Sequence, residues 1–282
     1  MARYVFSIIF LGTLVACDLA TLHGKFADWY AMRKINAYFD LTGKQREFLE
    51  PRIHKHLLWA KTTFLPDFNH KLDELAQRIE RGLTPQDIAW VDTVVNDART
   101  RIGDRLTPDA VVFLLSVSET QHKAFASELN QSNKSWEKRL RQSSKEYREN
   151  ALERYEDRFE EWSGSITKAQ TEDLAKNFGI FADIDNAKTF YSGRREAQET
   201  FLAAIAPPPN SVRIKTALDG WFKDSGALRT AANKDAYLLR MKIFQNGLLE
   251  TEKTLSAEQR KHVIAKIRDY QEKIAAFIKT AD

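Results

Sequence analysis

The sequence predicts an all-α fold, and three observations carry that prediction. Gly and Pro are scarce, 11 and 7 in 282 residues, whereas turn-rich β proteins use both heavily. Apolar residues recur at spacings of three and four, the period of one helix face. The marks between these runs are those of helix termini, and no segment sustains a period of two. With 43% hydrophobic and 29% charged residues, the chain is too apolar to be disordered.

In chain order, Thr42-Gly43-Lys44-Gln45 reads as a capping box, in which hydroxyl and carboxamide satisfy two orphan backbone N–H groups. Thr84-Pro85 and Thr107-Pro108 each pair an N-cap hydroxyl with a first-turn proline. Leu83 with Ile88, and Leu106 with Val111, are placed as hydrophobic staples for those two starts. Residues 109–163 lack Gly and Pro, and the polar cluster Asn130–Ser135 is the expected bend or break in that run. Its second half carries Trp136, Leu140, Tyr147, Ala151, Tyr155, Phe159 and Trp162 on a helical period. Thr167…Gln170 and Ser256…Gln259 repeat the capping box, and Val263, Ile267, Tyr270, Ile274 and Ile278 form a stripe on the last helix. Gly82, Gly103, Gly164 and Gly179 follow helical runs where a left-handed residue closes a helix. The expectation is roughly ten helices in one elongated bundle or two packed sub-bundles. The main helical domain spans 26–206, Pro207–Pro209 is a rigid linker, and 210–282 is a C-terminal segment packed on the main domain.

The N-terminus carries an address. Met1-Ala2-Arg3 is a short basic region, and Tyr4–Leu14 is an apolar stretch of signal-peptide length. It is too short to cross a bilayer, which takes about 20 apolar residues. Leu14-Val15-Ala16-Cys17 resembles the lipobox of bacterial lipoprotein precursors. That resemblance implies a signal peptide over 1–16, cleavage between Ala16 and Cys17, lipidation of the Cys17 sulfur, and a short tether over 17–25. Acyl chains would then hold the chain on a membrane at about 0.8 kcal/mol per buried CH₂. Asp18 resembles an inner-membrane retention signal of enteric lipoproteins, with the outer membrane as the alternative; either way the domain would face the periplasm. The competing reading is an ordinary secretory signal or a buried apolar helix with Cys17 incidental.

Composition and motifs exclude several activities. A single Cys closes no disulfide within the chain and builds no Cys-type metal site. His54 and His56 stand two apart, on opposing sides of a helix, and no His-Glu-x-x-His or Glu-x-x-His pair is present. No glycine-rich phosphate loop and no Gly-x-Ser-x-Gly elbow can be written. The expectation is therefore no metal, no cofactor and no catalytic residue. The net charge of +4 falls to +3 if Arg3 leaves with the signal peptide. Eight acidic residues interleave the eight basic ones between 134 and 161, cancelling the field that nucleic acid requires. The aromatics Trp29, Tyr38, Phe39, Trp59, Trp136, Tyr147 and Trp162 are the candidate interaction surface, for a partner protein, an unfolded client or the bilayer interface. The alternative is that they fill the core.

Residues 26–170 resemble a family of uncharacterised lipoproteins from Gram-negative bacteria, catalogued as a domain of unknown function. The matching pieces, in order, are Ala27-Asp28-Trp29, Tyr38-Phe39-Asp40-Leu41 followed by Gln45, Leu65-Pro66 before an aromatic, and Trp162-Ser163-Gly164-Ser165-Ile166-Thr167-Lys168-Ala169-Gln170. The chain departs at Ala60, where the pattern has His, and at Phe64, where an acidic residue is common. No activity comes with this resemblance. Leu41-Thr42-x-x-Gln45, Ile166-Thr167-x-x-Gln170 and Leu255-Ser256-x-x-Gln259 also resemble the Leu-Thr-x-x-Gln repeats of Spy/CpxP-type periplasmic chaperones, although any leucine before a capping box spells the same letters. The expected function is a membrane-anchored envelope lipoprotein that binds, scaffolds or chaperones; the alternative is an envelope hydrolase assembled from distant carboxylates and histidines.

Overall fold

The computed structural model describes residues 26–224 and 226–280. It is 87% helical, with no strand among the described residues. The helices are α1 (Ala27–Phe39), α2 (Gly43–Trp59), α3 (Leu65–Glu80), α4 (Pro85–Leu115), α5 (Glu119–Leu140), α6 (Ser144–Ser163), α7 (Lys168–Phe178), α8 (Ile184–Ile205), α9 (Ser211–Lys223), α10 (Ala231–Glu252) and α11 (Ala257–Lys279). A π turn over Ala60–Phe64 joins α2 and α3 into one run, which makes ten helices among the described residues. Positions 60 and 64, where the chain departs from the pattern it resembles, bound this turn and are both buried. Thr62 and Pro66 help explain its place, since the Thr62 hydroxyl bonds the Leu58 carbonyl and Pro66 has no N–H to give to the ladder.

The three capping boxes form as read, and Thr84, read as an N-cap before Pro85, closes a further box with Asp87. Thr42, Thr84, Thr167 and Ser256 each accept from the residue three positions on, and Gly82 and Gly164 close helices with φ of 91° and 77°. A further box, Ser118 with Gln121, opens α5. Asp87 closes the box at Thr84 and is 1% exposed, ion-paired at 2.6 Å to both Arg78 and Arg81.

Four of these boxes are joined in pairs. Gln45 and Gln121 donate to each other's carboxamide oxygen at 3.1 and 2.7 Å, and Gln170 and Gln259 do the same at 2.8 and 2.9 Å. Each Nε2 also reaches the carbonyl two residues before its partner's N-cap: Ser116, Asp40, Thr254 and Ser165 in turn. Each Oε1 keeps its own cap N–H as well. A residue chosen for local capping thus becomes a two-fold clasp between helix starts, α2 with α5 and α7 with α11. All four glutamines are buried and satisfied, the condition under which interior amides stabilise.

Several marks in the sequence act differently from their local reading. Thr107-Pro108 opens no helix, because α4 runs through both residues. An interior proline costs about 3 kcal/mol, and α4 recovers it by packing against α9, α2 and α3 along its length. Gly103 closes no helix; it lies within α4 where α9 crosses, and a Cβ there would sit 2.6 Å from the Phe222 Cβ. Gly103→Ala is therefore expected to destabilise by about 1–3 kcal/mol through overpacking, although alanine is the better helix former by about 1 kcal/mol. Urea denaturation decides it, and a stabilised variant would contradict the close crossing. Gly179 has φ of −56° and is not left-handed. The cluster Asn130–Ser135 does not break α5, because buried Asn133 donates to Gln198 at 2.7 Å and accepts from Arg194 at 2.9 Å. The breaks fall at Ser116–Ser118 and Arg141–Ser143, each followed by a serine cap.

The last helix turns the stripe read from its sequence toward the core, burying Ile267 and Ile274 and leaving Val263, Tyr270 and Ile278 partly buried. Ile267 and Ile274, with Phe277, enter a core shared with Phe64–Ile79, Ala27 and Trp162. A second core gathers Phe39, Leu41, Leu49, Ile53, Phe113, Leu114, Ile205, Ile214 and Leu218. A third holds Tyr155, Leu174, Phe178, Phe181 and Phe244 between α6, α7 and α10. The proline segment, with a cis bond between Pro207 and Pro208, links α8 to α9; beyond it α9 packs on α4, α10 on α7 and α11 on α3.

Candidate functional site

Ala16, Cys17 and Asp18, the residues of the expected anchor and sorting signal, lie outside the described residues. The seven candidate aromatics separate by helix face. Phe39, Tyr147 and Trp162 are core side chains, 8, 4 and 8% exposed, and they leave the candidate surface. Phe39 stacks on Phe125 and Trp162 on Tyr270; Tyr147 packs with Ala151, Ala182, Ile184 and Ala187. In each case a neighbouring helix covers the face on which the ring lies. Trp59 and Trp136 are half-buried, Trp59 against Phe64 and beneath Arg105, Trp136 against Phe190 and Tyr191. Trp29 and Tyr38 are exposed, at 55 and 40%.

Trp29 belongs to an exposed end of the molecule. Phe26 and Trp29, three apart, share a face at the start of α1. The Asp28–His54 contact, 3.0 Å, sets this end beside the last turn of α2, where Leu58 is also exposed. Arg33 lies over the Trp29 ring at 5.2 Å, a cation–π contact that leaves a positive charge beside the indole. Lys61 donates to the Thr280 carbonyl, so the end of α11 meets the same region.

Beneath it lies a polar cluster between α2 and α4. Asp109 accepts from Arg52 Nε at 3.0 Å and faces His56 Nε2 at 2.9 Å. Burial lowers the His56 pKa, against the pull of Asp109 and with help from Arg105, so the ring is neutral at pH 7. Arg52 also covers the Phe48 ring, and Arg105 donates to the Lys55 carbonyl. The arrangement orients an imidazole, but its chemistry is that of a joint between helices, with Asp109 placed one residue after Pro108. His70 is exposed on α3, apart from this cluster. Among the described residues no group of three or more His, Cys, Asp or Glu is placed to hold a metal ion.

Some surface groups escape the sequence reading. Val212, Trp221, Leu238 and Leu239 are 71, 51, 52 and 60% exposed. Adjacent leucines in a helix point about 100° apart, so Leu238-Leu239 gave a signal that a narrow buried stripe cannot use both. Trp221 stands out because its neighbour Phe222 takes the inward place over Gly103. The Gln121 box also went unread, although Ser118-x-x-Gln121 has the same spelling as the others.

These features define a class: an all-helical protein whose polar interior side chains join helix starts and whose aromatic groups are partly left on its surface. The chain belongs to DUF6279, a family of unknown function, which matches residues 37–228. The match takes in the end of α1, all of α2–α9, the Gln45–Gln121 clasp and the His56–Asp109 pair. No curated protein and no solved structure matches the chain.

Proposed function

We propose that the protein is a lipid-anchored component of a bacterial envelope that works by binding, as a scaffold, adaptor or chaperone-like module. The observation that carries this reading is the order Arg3, apolar 4–14, Leu14-Val15-Ala16-Cys17, followed nine positions later by an exposed face of Phe26 and Trp29. Nine residues of extended chain span at most about 30 Å, so a lipid on Cys17 would keep that aromatic, basic end close to the bilayer interface, where such side chains are favoured. Among the described residues no helix is long and apolar enough to cross a membrane. The paired glutamines support a chaperone-like module by their likeness to Leu-Thr-x-x-Gln repeats, and the exposed side chains of α9 and α10 are the contact surface it would use.

The test is fractionation of cells expressing the full chain. The wild type should incorporate labelled palmitate and sediment with membranes, while Cys17→Ala should lose the label and most of the attachment. A variant that still sediments after a high-salt wash would sink the lipid anchor. For the binding role, crosslinking in cells should yield a discrete partner or client lost in Leu238→Lys/Leu239→Lys; an unchanged pattern would remove that surface from the reading.

A further inference from the structure

Between α8 and α10 lies a small, shallow cleft that is partly open to solvent. Its polar lining comes from Asn186, Thr189, Arg229, Asn233 and Arg240, and none of its lining residues is acidic. Phe190 and Tyr237 supply the apolar wall. Arg240 is 6% exposed, the unusual element here, because taking a guanidinium out of water costs several kcal/mol. Its Nη1 donates to Asn186 at 3.2 Å, and its guanidinium lies over the Phe181 and Phe190 rings at 4.5 and 5.3 Å. Those contacts fix its plane. Desolvation lowers its pKa to about 10, which still leaves it a cation at pH 7. Arg229, half-buried, lies over the Tyr237 ring at 4.7 Å on the same cleft.

Two acids of α8 act on the cleft from outside its lining: Asp183, the helix N-cap, whose charge acts on Arg240, and Glu196, one turn beyond Gly193. Glu196 is taken up by Asn233 Nδ2 at 2.8 Å and by the Thr230 hydroxyl, and Arg229 adds to its electrostatic stabilisation. These carboxylates partly offset the charges of Arg229 and Arg240 but stand outside the lining itself. The donors of the lining are the two guanidiniums and the carboxamides of Asn186 and Asn233, the latter shared with Glu196, while the Thr189 hydroxyl is given to the Asp185 carbonyl. Such a set complements an oxyanion, because a guanidinium presents paired N–H groups at the spacing of two oxygens, and low dielectric strengthens each bond. The cleft is far smaller than a drug-sized ligand pocket, so only a small group seated at its open side fits it.

We propose that this cleft binds a small oxyanion group, a phosphate or a carboxylate, between Arg229 and Arg240. The site is independent of the lipid anchor, so neither reading stands or falls with the other.

The test uses the purified full chain in detergent and two probes, inorganic phosphate and acetate, titrated against chloride at constant ionic strength. Thermal unfolding and calorimetry are the readouts. At least one probe should stabilise the protein saturably, and which one does so distinguishes phosphate from carboxylate. Arg229→Gln should weaken that affinity at least tenfold, while the remote, exposed Arg33→Gln leaves it unchanged. Arg240→Gln should abolish binding; if that variant fails to fold, Arg229→Gln, half-buried and outside α10, still decides. No saturable response to either probe, or a response undiminished in Arg229→Gln, overturns the proposal.

Discussion

Replacing Asp87 by alanine is expected to lower the unfolding free energy by about 3 kcal/mol, near the lower limit for breaking a buried ion pair, because Arg81 is half-exposed and screened. Three functions are lost together. Asp87 accepts from the Thr84 N–H and hydroxyl at the start of α4, and it neutralises Arg78 and Arg81 from the end of α3. Burial opposes its ionisation, but those hydrogen bonds and charges outweigh burial and hold its pKa well below the ordinary carboxylate range. The unfolded chain therefore binds the proton first, and the contribution is complete above about pH 4 and fades as the pH falls below it. Asp87→Asn keeps the shape and removes the charge. Urea denaturation of wild type and Asp87→Asn at pH 7 and pH 3 should show the difference between them shrinking at the lower pH. An undiminished difference would mean that the carboxylate's charge is not what stabilises the α3–α4 joint.

A similar loss is expected when Gln170 becomes leucine. The Gln259 carboxamide, the Thr254 carbonyl and the Thr167 N–H would each lose a partner in the interior. At about 1–3 kcal/mol for each group left unsatisfied, less what water recovers, the cost is about 3 kcal/mol. Replacing both Gln170 and Gln259 by leucine should cost clearly less than the sum of the single changes, because two apolar side chains can then meet without orphaned amides. A double-mutant cycle from chemical denaturation measures this. Strict additivity would mean that the two caps are independent and that the clasp contributes no coupling.

Helix existence and four helix starts, those at Thr42, Thr84, Thr167 and Ser256, were legible because they depend on groups three or four residues apart. Thr84, Pro85 and Asp87 settle their own geometry, as do Thr167 and Gln170, whichever helix later lies beside them. The same local rules fail at Thr107-Pro108 and Gly103. Both spell a boundary, but α9 crosses at Gly103 and holds the chain helical through Pro108. The polar run at Asn130–Ser135 fails likewise, because Gln198 and Arg194, more than 60 residues away, satisfy Asn133 in place. Among the candidate surface residues, the period of the aromatic stripe was correct, but period alone does not say whether another helix covers it.

By itself, then, the sequence determined the all-α class, the caps that start four of the helices and the order of residues around Cys17, since each is written in neighbours along the chain. Tertiary structure alone decided the rest. It chose which glutamines meet in clasps, turned Phe39, Tyr147 and Trp162 inward while leaving Trp29 outside, and brought Arg229 and Arg240 to one cleft with Asn186. Each of those outcomes depends on which helix faces cross, and the helices that cross are far apart in the chain.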